Sequence, residues 1–200
     1  ESNLRQQILD LVEQYSLLKY EKKPFLAGSD IVPPSGKVLG TQELKNMVEA
    51  SLDGWLTAGR FNEAFEKRLA EYLGVKFLIT TNSGSSANLL AFTALTSPRL
   101  GDRAIKPGDE VIGVAAGFPT TVNPILQFGA IPVFVDIDMA SHNIDADKIE
   151  AAISLKTKAI MLAHSLGNPF NIKLVMEICR KHGLWLIEDN CDALGSRYNG

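Results

Sequence analysis

The chain has 200 residues, 46% hydrophobic and 22% charged, with a formal net charge of −3. That balance argues against a nucleic-acid partner, which would need a basic patch, and against an acidic disordered tail. No run approaches the roughly 18 apolar residues of a membrane span, and Glu1-Ser2-Asn3-Leu4-Arg5 lacks the basic-then-apolar layout of a signal peptide.

Leu4, Ile8, Leu11, Val12 and Tyr15 recur at helical spacing and predict an amphipathic helix in the first 20 residues. Residues 21–40 are rich in Pro and Gly and read as an extended arm, a segment separate from the domain that begins near Thr41. Thr41 is the expected N-cap of a helix from Gln42 to about Leu52, with Leu44, Met47 and Val48 inward. A further helix is expected after Gly59, with Phe61, Phe65, Leu69 and Tyr72 on one face.

From residue 75 short apolar runs alternate with helical segments. The runs are Lys76–Thr80, Glu110–Val114, Pro132–Val135, Lys158–Ala163 and Leu184–Ile187, with helices near 84–97, 119–128, 145–153 and 171–182. This alternation predicts an α/β layer with a largely parallel sheet flanked by helices, its strands buried on both faces. Only eleven residues come after the last run, extended to Asp189, so residues 41–200 are expected to be the N-terminal part of a larger domain. Because the chain opens without Met, residues upstream are expected to have been trimmed.

The two cysteines, Cys179 and Cys191, make no disulfide framework, and a reducing cytoplasm is the reading they favour. Cys179 lies in an apolar helical stretch and is expected in the core.

Three segments carry chemistry. Thr80-Thr81-Asn82-Ser83-Gly84-Ser85-Ser86-Ala87 ends a β-run and opens a helix. Free N–H groups and the dipole at such a start suit a phosphate, Gly84 permits close approach, and Ser85 and Ser86 add donors. A Ser-capped helix with no ligand fits the same residues. Phe118, between Gly117 and Pro119 after the run ending at Val114, is placed to project into the crevice of an α/β sheet and stack on a flat ring. A core position under the next helix is its other reading. Asp189, in Glu188-Asp189-Asn190-Cys191-Asp192, is a carboxylate at the end of a buried strand, where a protonated pyridine nitrogen would meet it through a charge-assisted bond. A loop cap or metal ligand is the alternative. His164 ends another run and reads equally as a ligand contact or a structural histidine. No zinc-site spacing, nucleophile elbow or three-glycine dinucleotide fingerprint is present.

In this order, from about residue 36 to 200, the motifs resemble the nucleotide-sugar aminotransferase and dehydrase family of fold-type I vitamin B6 enzymes. Trp55-Leu56-Thr57-Ala58-Gly59-Arg60 with Phe65-Glu66 is similar to the family's opening. By that resemblance Ser83-Gly84-Ser85-Ser86 is the phosphate turn, Phe118 the ring-stacking aromatic and Asp189 the partner of the pyridine nitrogen. Asp192 and Leu194 stand where aminotransferases usually have Gln and often His. Asn190–Ser196, Ala116–Pro124 and the long Leu89–Asp109 segment resemble the 3-dehydrase branch instead, in particular enzymes acting on CDP-4-keto-6-deoxyglucose in 3,6-dideoxysugar synthesis for lipopolysaccharide.

The resemblance implies that pyridoxamine phosphate condenses with the C4 ketone of the sugar and a base removes a proton from the cofactor methylene. The C3 hydroxyl then leaves as water, and two electrons arrive from a reductase partner. It also implies a histidine in place of the lysine that binds pyridoxal phosphate, a homodimer, and an iron–sulfur cluster of the [2Fe-2S] kind, whose first ligand would be Cys191. One cysteine cannot hold a cluster, so the other ligands, like the catalytic base, are expected beyond Gly200. The fragment alone is therefore expected to be inactive. A sugar aminotransferase on the same scaffold and a non-catalytic remnant of the fold are the competing expectations.

Overall fold

The computed structural model describes residues 1–20, 24–33 and 36–200, in two compact units, Glu1–Thr80 and Thr81–Gly200. The arm expected over 21–40 lies partly outside the described residues. Its described parts carry no helix or strand, and a turn closes where Gly28 adopts φ +84.

In the first unit, helix α1 (Ser2–Lys19) packs on α2 (Thr41–Leu52). The predicted helix forms, but Leu4, Leu11 and Tyr15 are exposed, while Ile8, Leu9, Val12 and the buried Ser16 are covered. Thr41 is the first residue of α2 rather than its cap. Its hydroxyl lies 2.5 Å from Ser16 Oγ, and the Gly40 N–H donates instead to Glu43 Oε2 at 2.7 Å. Helix α3 (Arg60–Leu73) ends where Gly74 takes the left-handed conformation, φ +67. As its spacing predicts, Phe61, Phe65, Leu69 and Tyr72 share a face, lining an open groove of about 590 Å³ between α2 and α3. Arg5 and Arg60 both pair with Glu49 and Asp53, and the Arg60 and Arg5 guanidinium groups hold the Asp53 carboxyl below its ordinary value.

The run Lys76–Thr80 is not a strand. A strand forms only where a neighbour takes its backbone groups, and no neighbour pairs with this run among the described residues. Phe77 and Ile79 are exposed, and Thr80 is tied to α3 by its N–H, which donates to Glu66 Oε1 at 2.8 Å.

The second unit is the expected parallel α/β layer. Strands β1 (Glu110–Val114), β2 (Ile131–Val135), β3 (Thr157–Ala163) and β4 (Trp185–Asp189) form one sheet in the order β2-β1-β3-β4, every pairing parallel. Alternate side chains face opposite sides. Ile112, Ile160 and Leu162 pack with Val175, Ile178 and Cys179 of α6 (Ile172–His182). Val111, Ala159 and Met161 pack with Phe92 of α4 (Gly84–Leu95) and Ile125 of α5 (Pro119–Gln127). Burial on both faces is why the runs are continuously apolar. Cys179 sits in this core as expected, and burial pushes its thiol up to about 11.

The helix expected over 145–153 is instead two 3₁₀ turns, Ala146–Lys148 and Glu150–Ala152. Tight i→i+3 bonds such as Ala152 N–H to Ile149 O at 3.0 Å let this short connector press the fully buried Ile149 onto the sheet.

Chain progression reverses at β1. The connection from β1 to β2 runs one way and that from β3 to β4 the other, so right-handed crossovers put α5 and α6 on opposite faces. The reversal leaves a crevice at the carboxyl ends of β1 and β3, where sheets of this kind bind ligands.

Candidate active site

A cavity of about 300 Å³ lies at that crevice, lined by Gly84, Ser85, Asn88, Phe118, Thr120, Ala163, His164, Asp189, Cys191 and Asp192. The ends of β3 and β4 and the starts of α4 and α5 meet there. Gly84 and Ser85 open α4 after Ser83, whose Oγ accepts the Ser86 N–H at 3.1 Å. The Gly84 and Ser85 amides belong to the first turn, where no intrahelical acceptor exists. Phe118 caps α5, with Pro119 fixing the helix start behind it, and is 70% exposed. Within this chain Phe118 is not packed beneath α5, where its core reading would place it.

Asp189 ends β4. Its Oδ2 accepts from Asn88 Nδ2 at 2.7 Å and from Thr121 Oγ1 at 2.9 Å, and its Oδ1 accepts the Cys191 N–H at 3.0 Å. An ionised carboxylate offers about four acceptor positions. Among the described residues three are filled, and the position left is on Oδ1.

Asp192 and Cys191 are exposed on the turn after β4. This turn rests on the loop after β3: a Cβ added to Gly167, at φ +82, would stand 2.8 Å from Asp192 O, and Ser196 Oγ donates to Gly167 O at 2.7 Å. Among the described residues no group of three or more His, Cys, Asp or Glu side chains is gathered to hold a metal ion.

Of the residues singled out from sequence, Gly84, Ser85, Phe118, Asp189, Cys191 and Asp192 share the cavity wall. Ser86 does not. Its hydroxyl lies 3.1 Å from Ser83 Oγ, and it lines an adjoining cleft with Ser85, Thr120 and Asn123. His164 lines the cavity but is buried and fully engaged. Its Nδ1 accepts the Phe170 N–H at 3.4 Å, which puts the proton on Nε2 for donation to Glu188 Oε2 at 3.0 Å, and its ring stacks on Phe170 at 4.3 Å. The structural reading of His164 is the one these contacts favour.

Sequence reasoning missed Asn88, Thr120 and Thr121. A signal for Asn88 existed: it stands four residues before Phe92, within the apolar stretch Ala87–Phe92 of its helix, and both are buried. A polar side chain there needs a partner.

A parallel sheet whose helix starts and strand ends converge on an anchored carboxylate defines an α/β protein with a cavity at its switch point. The chain belongs to the DegT/DnrJ/EryC1/StrS aminotransferase family, whose model matches residues 38–200. It is 66% identical over 199 residues to the lipopolysaccharide biosynthesis protein RfbH of Salmonella typhimurium, covering 100% of this chain and 46% of that protein. It is 47% identical over 196 residues to a dTDP-4-dehydro-2,6-dideoxy-D-glucose 3-dehydratase of Saccharopolyspora spinosa, covering 98% and 42%. Among solved structures it superposes on a GDP-4-keto-6-deoxymannose-3-dehydratase holding a trapped PLP–glutamate geminal diamine, with TM-score 0.78, 32% identity, and coverage of 84% of this chain and 43% of that one. The chain thus spans less than half the length of these relatives.

Proposed function

We propose that the protein to which this chain belongs is a vitamin B6-dependent 3-dehydrase of a nucleotide-linked 4-keto-6-deoxyhexose, working in dideoxysugar and lipopolysaccharide synthesis. One observation carries the cofactor part: among the described residues Asp189 keeps an acceptor position open on Oδ1, beside a cavity that also holds an exposed aromatic ring and the start of a helix. A pyridinium N–H, a flat ring and a phosphate are the groups those three features fit. The cavity volume is at the lower end for small-molecule sites, which run from about 300 Å³ upward. The dehydratase relatives and the Asp192 departure from the aminotransferase pattern support dehydration over amino transfer.

Bound pyridoxamine phosphate would supply an amine for the sugar's C4 ketone and an electron-withdrawing ring for loss of the C3 hydroxyl as water. This chain's residues act around it. Asp189 Oδ1 would accept the ring N–H and keep the ring cationic. Phe118 would stack on the ring and exclude water. The Gly84 and Ser85 amides and the Ser85 hydroxyl would hold the phosphate, and Asp192 lines the wall beside the anchor. Neither ring nitrogen of His164 is spare, so the proton-moving base is assigned to a residue outside this chain. Cys191, exposed at the cavity margin, is the one residue carried to an iron–sulfur cluster, whose remaining ligands would also come from outside it. The whole protein is read as a cytoplasmic homodimer served by a reductase.

The test is made on the full-length protein. Loaded with pyridoxamine phosphate and supplied with reductase and CDP-, dTDP- or GDP-linked 4-keto-6-deoxyhexose, it should convert one of them to a product lacking the C3 oxygen. Formation of an amino sugar with glutamate as donor would make it an aminotransferase. Failure to retain any cofactor after the unbound compound is removed would sink the B6 reading.

A further inference from the structure

We propose that Asn88 is a positioning residue for the cofactor: with Thr121 it pins Asp189 Oδ2, so that the remaining acceptor position on Oδ1 is held toward the ring nitrogen. This role rests on the reading of the cavity as a B6 site.

The carboxylate of an Asp turns easily, because its last torsion is broad and nearly two-fold. A single contact leaves it free to rock. The Cys191 N–H supplies one fixed point, on Oδ1. The Thr121 hydroxyl supplies a second, but a hydroxyl rotates and serves as donor or acceptor alike. The Asn88 amide is the stiffer contact. It is 7% exposed, its Nδ2 reaches Asp189 Oδ2 at 2.7 Å, and the same nitrogen also donates to Thr120 O at 3.4 Å. Two donors on Oδ2 and one on Oδ1 define the carboxylate plane and exhaust Oδ2.

Helix stability alone gives no reason for Asn at this position. It is a poor residue for a helix interior, and its side chain here is buried on the face shared with Phe92, where an apolar group would leave nothing to satisfy. The contact that accounts for it is to a residue 101 positions away, at the edge of the cavity. Asn88 also ties the first turns of α4, which open at Gly84 and Ser85, to the end of β4. The phosphate end and the ring-nitrogen end of the site are therefore linked by one side chain.

The experiment uses the full-length protein with Asn88→Leu, Asn88→Ala, Thr121→Val and Thr121→Ser. Three quantities are read: the dissociation constant for pyridoxamine phosphate, the 15N shift of cofactor labelled at the ring nitrogen, and the Tm of the cofactor-free protein. Asn88→Leu and Thr121→Val should each weaken binding by about tenfold, the scale of one hydrogen bond to a charged group. They should also move the 15N signal toward the unprotonated ring. Thr121→Ser should bind as wild type does. Asn88→Leu should lower the Tm of the cofactor-free protein, because Asp189 loses a donor there too, and the 15N shift read at saturating cofactor is the quantity that a purely structural role would leave unmoved. Wild-type binding and an unmoved 15N signal in Asn88→Leu would overturn this role alone. Failure of the wild-type protein to bind the cofactor would overturn the B6 reading and this role with it.

Discussion

Exchange of Asp189 for Asn keeps the shape of the side chain and removes its charge, and the three bonds to the carboxylate set the consequence. If the amide oxygen takes the Oδ2 position, it keeps Asn88 and Thr121 but points an NH2 at the Cys191 N–H, 3.0 Å away. The last acceptor position is then replaced by a donor. If the amide is turned over, its NH2 meets Asn88 Nδ2, which is 2.7 Å from that position, while only the Thr121 hydroxyl can rotate to accept. Either orientation leaves one donor opposed, at roughly 1–3 kcal/mol, and this cost falls on the cofactor-free protein as well. What distinguishes the loaded state is the lost charge-assisted bond to the ring, about 1.5–3 kcal/mol, or roughly 10- to 150-fold in affinity. Titration of full-length wild type and Asp189→Asn with pyridoxamine phosphate, followed by absorbance, measures it directly. Turnover should fall at least as far, since a neutral amide cannot hold the ring proton. Equal affinities and near-normal turnover would refute the assignment of Asp189 as the ring anchor.

Phe118→Ala removes a side chain that is 70% exposed, so the fold should keep its Tm while cofactor affinity falls by roughly three- to tenfold, the scale of an aromatic stack; an unchanged dissociation constant would exclude stacking. Gly167→Ala combines φ +82 with a Cβ 2.8 Å from Asp192 O and should cost on the order of 1–3 kcal/mol, read as a lower urea midpoint. An unaltered midpoint would show that the Asp192 turn yields freely. With a thiol reagent at mildly alkaline pH, peptide mapping should find Cys191 labelled well before Cys179, whose thiol is raised to about 11 by burial. The opposite order would contradict the place of Cys179 in the core. Glu66 is held below its ordinary value of 4.5 by the Thr80 N–H and hydroxyl. Its contribution to stability is therefore present above that value and lost as pH falls through the lowered one. The Thr80 amide shift in an NMR titration should report a midpoint below 4.5 that vanishes in Glu66→Gln.

The sequence by itself determined the parts that depend on near neighbours. Continuous apolar runs set the four strands, and the residues that end a strand or open a helix, Gly84, Ser85, Phe118 and Asp189, could be picked out by position along the chain. Their order also carried the family resemblance. What it could not determine were the contacts made across the fold. Thr41 has the chemistry of a cap, but Ser16, 25 residues earlier, engages its hydroxyl. Lys76–Thr80 has the pattern of a strand, yet pairing is a property of two segments, and no described neighbour joins it. Ser86 has the chemistry of a phosphate ligand, but its N–H and hydroxyl turn to Ser83. Asn88 and Thr121 meet Asp189 across 101 and 68 residues. Local pattern identified the carboxylate; only the tertiary structure decided which of its lone pairs remains open, because the donors that fill the others arrive from distant turns of the chain.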